Sequence, residues 1–156
     1  MATPTPAASL KRFIGKFSAP VQRVAVAALA KMRARLPGAI ELVYDNYNAL
    51  AIGFGPGERA SEAIFSIALY PRWVTLFFLR GAALEDAHGI LRGSGSQVRH
   101  IVLESAATLD EPAVRRLMKG ALAQAKRGID PKGRRRIVIK AVSAKQRPRR
   151  PVSSGG

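Results

Sequence analysis

The sequence predicts an α/β (α+β) domain with an N-terminal helix, an antiparallel sheet of about five strands and a closing C-terminal helix. Three observations carry that expectation. Apolar residues recur with a period of about 3.6 in two stretches, one ending near residue 36 and one beginning near residue 112. Between them lie short runs rich in β-branched and aromatic residues, broken by Gly, Pro and Asn. The excess charge sits toward the two ends, in residues 1–36 and 131–156, around a balanced stretch over 37–130; the domain itself is expected over residues 19–130.

Residues 1–18 open with "TPTPAAS" and read as a flexible lead. Ser18 is placed to cap a helix, and Pro20 suits its first turn, where a missing N–H costs nothing. Val21, Val24, Ala25, Ala28, Leu29, Met32 and Leu36 then form the inward stripe, and Pro37-Gly38 ends it. Arg23, Lys31, Arg33 and Arg35 fall off the stripe, toward water. "IELVYDN" (40–46) and "YNALAIGFG" (47–55) read as strands, and "PGERAS" (56–61) as a turn. "EAIFSIALY" (62–70) and "WVTLFFLR" (73–80) read as two more strands. The second is apolar on both faces, as a strand covered on both sides would be. "GAALEDAHGIL" (81–91) reads as a short helix or helical turn, and "QVRHIVLES" (97–105) as the fifth strand. Thr108 and Glu111 have capping-box spacing ahead of the second helix. Its inward residues are Val114, Leu117, Met118, Ala121, Leu122 and Ala125, and Gly128 closes it. Residues 131–156 read as a basic, mostly disordered tail, with a possible edge strand over 134–142.

The chain has 156 residues, enough for one domain with a real core. It contains no cysteine, which excludes disulfides, thiolate nucleophiles and Cys-based metal centres. The longest uncharged apolar run near the start, Val24–Ala30, is far short of the roughly 20 residues a membrane-spanning helix needs. No basic-then-apolar order marks a secretory signal. The acid-free residues 1–36 have the composition of an organelle transit peptide, but their core periodicity places them in the fold. A cytoplasmic protein without membrane contact is expected. The net charge is +16: residues 1–36 carry +7, residues 131–156 carry +9, and residues 37–130 hold ten bases and ten acids. A partner drawn by charge would meet the flanks.

Catalytic constellations are weak. "GSGSQ" (93–97) leads into a strand rather than a helix, so it lacks the geometry of a phosphate cradle and reads as a turn. Arg99 and His100 alternate across the following strand and point to opposite faces. His88 lies near Glu85 and Asp86 without ligand spacing. No serine sits in a nucleophile elbow. Glu41 and Asp45 share one strand face but lie about 13 Å apart, too far to act as acid and base. Tyr44, Tyr47, Tyr70, Trp73, Phe77 and Phe78 could stack bases, although sheet core is the plainer reading.

Within residues 62–105, the run "ALYPRWVTLFFLRGAALEDAHGILRGSGSQVRHIVL" resembles the YdhG-like domain, a family of uncharacterised bacterial proteins that includes a frataxin-like iron chaperone. The likeness extends over about residues 19–127, through the "YPRWVTLFF" strand, the "RGAAL" turn and the helix near 112–127. It implies a leading helix, an antiparallel sheet and a closing helix, with "GSGSQ" as a fold-defining turn. The iron role is expected to transfer poorly, because hard iron favours clustered carboxylates and these acids are interspersed with bases.

The expected function is therefore a non-enzymatic binding or accessory role, touching nucleic acid or another polyanion through the basic arms. The residues assigned to that contact are Arg134, Arg135, Arg136, Lys140, Arg147, Arg149 and Arg150, acting as phosphate-neutralising charges. A solubilising tail is the bland alternative. An intracellular iron chaperone is the second reading. A small-anion enzyme with a pocket near His88, Arg99 and His100 is the third. No catalytic residue, metal ligand or resident cofactor is assigned, iron being the one candidate ion.

Overall fold

The computed structural model describes residues 3–152. Residues 1–2 and 153–156, the extremes of the expected lead and tail, lie outside the described residues. Among the described residues three helices, α1 (Pro6–Ile14), α2 (Ala19–Arg35) and α3 (Pro112–Gln124), pack on a sheet of six strands. The strands are β1 (Ile40–Asp45), β2 (Leu50–Gly55), β3 (Phe65–Leu69), β4 (Val74–Phe78), β5 (Arg99–Leu103) and β6 (Arg136–Val142), in the spatial order β5-β4-β3-β2-β1-β6. The class is the expected α+β.

Two features differ from expectation. The sheet is mixed, because β6 adds to β1 in parallel while the other five strands pair antiparallel. The chain leaves β5 at one edge, returns through α3 and enters the far edge from the other end, so its last strand runs alongside β1. Within the lead expected to be flexible, residues 6–14 form a helix. Thr5 caps α1, its Oγ1 accepting from the Ala8 amide at 3.1 Å, and Pro6 occupies the first turn. Leu10, Phe13, Ile14 and Phe17 are all buried, at spacings of three, four and seven that form one stripe.

α2 starts after Ser18, which caps through its backbone conformation without a side-chain bond. The spacing of Thr108 and Glu111 does not open α3. Residues 106–110 form a 3-10 turn headed by Ser105, whose Oγ accepts from the Ala107 amide, and the helix proper begins at Pro112. It ends at Gln124, four residues before Gly128. Beyond the short turn Gly81–Ala83, residues 84–91 form a loop. The Asp86 carboxylate holds it by accepting from the Ile90 and Leu91 amides at 3.0 and 2.9 Å.

One face of the sheet bears the core. Val43, Leu50, Ile52, Phe54, Phe65, Ile67, Leu69, Val74, Leu76 and Phe78 join the buried side chains of all three helices in a single cluster. Phe65 and Phe78 meet edge to face at 5.7 Å, an arrangement that contributes about 0.5–1.5 kcal/mol beyond area burial. The second face is split. Residues 56–64 lie over its half nearest the start of β1. There a Cβ on Gly55 would meet the Ala63 Cα at 3.0 Å, so a larger residue would push the crossing segment outward. The other half is open: Trp73 and Val102 are 46% and 45% exposed. The expected cover on both faces of residues 73–80 is thus absent at the Trp73 end.

Candidate nucleic-acid interface

The site begins with β1. Glu41, Val43 and Asp45 alternate onto the core face, which leaves two carboxylates with no exposed surface under the helices. Each is neutralised. Arg33, from α2, forks onto Glu41 with Nε at 2.9 Å and Nη2 at 2.8 Å, and Arg135 approaches at 3.9 Å. The Glu41 hydrogen bond holds the Arg33 guanidinium above its ordinary value, against the opposing effect of burial. Asp45 takes Arg149 Nη2 at 2.9 Å and Lys16 Nζ at 3.5 Å. Lys31 and Arg35 pair with Asp110, so three of the four α2 cations expected to face water are in ion pairs instead. Hydrogen bonding from Lys31, with the charges of Lys31, Arg35 and Arg115, lowers the Asp110 carboxyl below its ordinary range.

Asp45 anchors the tail expected to be mostly disordered, whose described residues dock at the end of the sheet. The Ser143 amide and Gln146 Nε2 donate to the Asp45 carbonyl at 2.8 and 3.0 Å. The Arg147 amide donates to the Tyr47 carbonyl at 2.9 Å, and Arg150 Nε to the Lys16 carbonyl at 3.2 Å. The seven basic residues expected to form one free arm are therefore dispersed. Arg149 is only 6% exposed and belongs to the Asp45 pair. Arg136 pairs with Glu58 at 3.2 Å, and Lys140 donates to the Glu58 carbonyl. Arg135 is drawn toward Glu41, while Arg134 is exposed. Arg147 and Arg150 remain on the surface, at positions fixed by the docking.

Docking brings Arg147 and Arg150 to the end of the sheet where Asp45, Leu50, Leu69 and Val74 stand in register. The β3–β4 connection there is Tyr70-Pro71-Arg72-Trp73, closed by the Tyr70 amide donating to the Trp73 carbonyl at 2.9 Å. Tyr70 and Trp73 stack with centroids 5.3 Å apart and planes 27° apart. Half-burial raises the Tyr70 phenol above its ordinary value. Tyr47 is 44% exposed, with the Arg147 guanidinium 5.6 Å from its ring centre. A cavity of about 660 Å³ lies among Asn48, Tyr70, Arg72, Trp73, Arg147 and Arg150. A second, of about 460 Å³, continues from Asn48 and Tyr70 over Ala51, Ser66, Ala68 and Phe77 on the open sheet face. Among the described residues, no acidic side chain lines either one.

Sequence reasoning grouped six aromatics; the fold separates them. Phe78 is core, and Phe77 and Tyr44 lie on the second face, while Tyr47, Tyr70 and Trp73 gather at the sheet end. Arg72 and Asn48 were missed. Their signal was their place in turns that carry aromatics, "YPRW" with one on each side and "YNA" with Tyr47 on one.

The expected pocket of His88, Arg99 and His100 does not form. His88 edges a dimple of about 30 Å³ against Ala113, Arg116 and Leu117 of α3, which neither of the others lines. Arg99 pairs across from the core residue Phe78 and donates to the Gly95 and Val98 carbonyls. His100 is on the opposite face, packed on Phe77 at 5.6 Å. Residues 93–98 make the turn between Arg92 and its bridge partner His100. Among the described residues, no three His, Asp or Glu side chains come together as a metal site, and no helix is long and apolar enough to cross a membrane. In comparisons with known proteins, no family model, no curated protein and no solved structure matches the chain.

Proposed function

We propose that the chain is a YdhG-like domain that binds single-stranded nucleic acid at the open end of its sheet. The observation that carries this reading is the stacked Tyr70–Trp73 pair, half exposed beside Arg72, Arg147 and Arg150, with no carboxylate among the described residues that line the cavity. Every base has an apolar π-face, and an exposed indole accepts it without regard to sequence. Guanidinium groups alongside neutralise the phosphates that link successive bases. A duplex hides its base faces, so this surface favours a single strand.

Fluorescence anisotropy with a labelled single-stranded oligonucleotide and its duplex, at two salt concentrations, tests the proposal. The full chain should bind the single strand more tightly. Trp73→Ala should weaken that binding by roughly 5–150-fold, the equivalent of one lost base stack at about 1–3 kcal/mol. Equal affinity for both forms, unchanged by Trp73→Ala, would leave only non-specific charge and sink the reading.

A further inference from the structure

The opposite end of the sheet holds another cleft, of different character. It has a volume of about 490 Å³, within the range of small-ligand pockets. One wall is the segment 59–64 that leads into β3, and the other is the end of α3 and the residues after it, with Arg80 beyond β4 between them. The floor is apolar, made by Ala63, Ile64, Ala121 and Ala125. The rim carries Arg59, Arg80, Lys126 and Arg127 against a single carboxylate, Glu62. Glu62 is shared, with Arg127 at 3.3 Å and Arg59 at 3.9 Å. Among the described residues Arg80 has no carboxylate partner: its Nη2 donates to the Ser61 carbonyl at 3.2 Å, while Gln124 fixes its backbone by donating to the Arg80 carbonyl at 3.0 Å.

Four cations with one acid leave guanidinium donors unspent around an apolar floor. Planar guanidinium forks match the paired oxygens of carboxylates and phosphates. We infer that this cleft is a binding site for a small organic oxyanion, a carboxylate or phosphate monoester carried on an apolar body. The anionic group sits between Arg80 and Arg127, and the body covers Ala63 and Ala125. A competing account is that Lys126 and Arg127 only offset the negative end of α3. That account requires no ligand.

The test is a titration of the full chain with phenyl phosphate, benzoate, inorganic phosphate and benzyl alcohol, followed by calorimetry and by backbone amide shifts. Phenyl phosphate or benzoate should bind saturably at one site and shift the amides of residues 61–64 and 121–127. Inorganic phosphate and benzyl alcohol, each lacking one half of the ligand, should bind more weakly. Arg80→Gln and Arg127→Gln should each weaken binding at least about tenfold, as loss of a charge-assisted hydrogen bond does. Ala125→Leu, which fills the floor and keeps every charge, should weaken phenyl phosphate and spare inorganic phosphate. Trp73→Ala should leave all of these values unchanged, which separates the cleft from the nucleic-acid surface. The inference is overturned if inorganic phosphate binds as well as phenyl phosphate, if the shifts scatter over the basic surface, or if Arg80→Gln and Ala125→Leu have no effect.

Discussion

Replacing Asp45 by Ala removes the acceptor at the centre of the docked tail. Asp45 has no exposed surface, and the Arg149 side chain is 5% exposed with Nη2 at 2.9 Å from Oδ1. After the substitution the buried guanidinium keeps, among the described residues, the Asn46 carbonyl as its one acceptor. Removing one member of a buried ion pair costs about 3–5 kcal/mol, because the other is left charged and dry. For a chain of this length, each kcal/mol lowers Tm by roughly 2–4 °C, so a fall of about 6–20 °C is expected. Arg149→Leu should cost less, since Asp45 retains Lys16 at 3.5 Å. The double substitution Asp45→Leu/Arg149→Leu should recover most of the loss, because Arg149 Nε is already buried without an acceptor and an apolar pair removes that defect. Urea unfolding and calorimetry give the stabilities; limited trypsin digestion after Lys145 and Arg149, the tail cations here not followed by proline, reports release of the tail. Glu58→Ala is the control: its pair with Arg136 is half exposed on both sides and should be worth no more than about 1 kcal/mol. The reasoning fails if Asp45→Ala costs no more than Glu58→Ala, or if the double variant is no better than Asp45→Ala alone.

Three further outcomes are expected. Arg72→Ala should lower the log–log salt slope of single-strand binding by about 0.7, one phosphate contact, without altering Tm beyond the range of surface changes; an unchanged slope would remove Arg72 from the interface. Asp110 has a lowered carboxyl value, so its contribution to stability is present above the unfolded value near 3.8 and is lost as pH falls through the folded one. Asp110→Asn should therefore flatten the stability curve below about pH 4 and leave its slope between about pH 5 and 8 unchanged, as acid titrations of both proteins would reveal. Gly38 has φ of +83° and lies so close to the Asp130 carbonyl that no Cβ fits. Gly38→Ala should cost about 2–5 kcal/mol by combining a left-handed backbone with overpacking, and a smaller loss in urea unfolding would mean that the 37–39 and 130–133 segments separate easily.

What the sequence disclosed follows from how local each signal is. The stripe from Val21 to Leu36 marks α2 because every member lies within a few turns of the next. Leu10, Phe13, Ile14 and Phe17 carry the same signal for α1, masked by the Pro- and Ala-rich lead in front of it. The 134–142 strand could be read from alternation, but not its parallel partner, since direction depends on where α3 delivers the chain. Arg149 looked like its neighbours in a charge run. Its partner Asp45 is 104 residues away, and no spacing rule spans that gap. The aromatics divide for a similar reason. Pleat alternation sends Phe78 to the core, while Tyr70 and Trp73 flank a two-residue turn that lifts them to the sheet end.

Trp73 is the chain's single tryptophan, so its fluorescence reports the proposed stacking surface without a label. The decisive measurement is a titration of the full chain with oligothymidylate, followed by Trp73 emission at low and physiological salt. Base stacking on the indole predicts saturable quenching, weakened by salt and by removal of Arg147 and Arg150. Binding detected by anisotropy with no change in Trp73 emission would place the strand elsewhere and contradict the account.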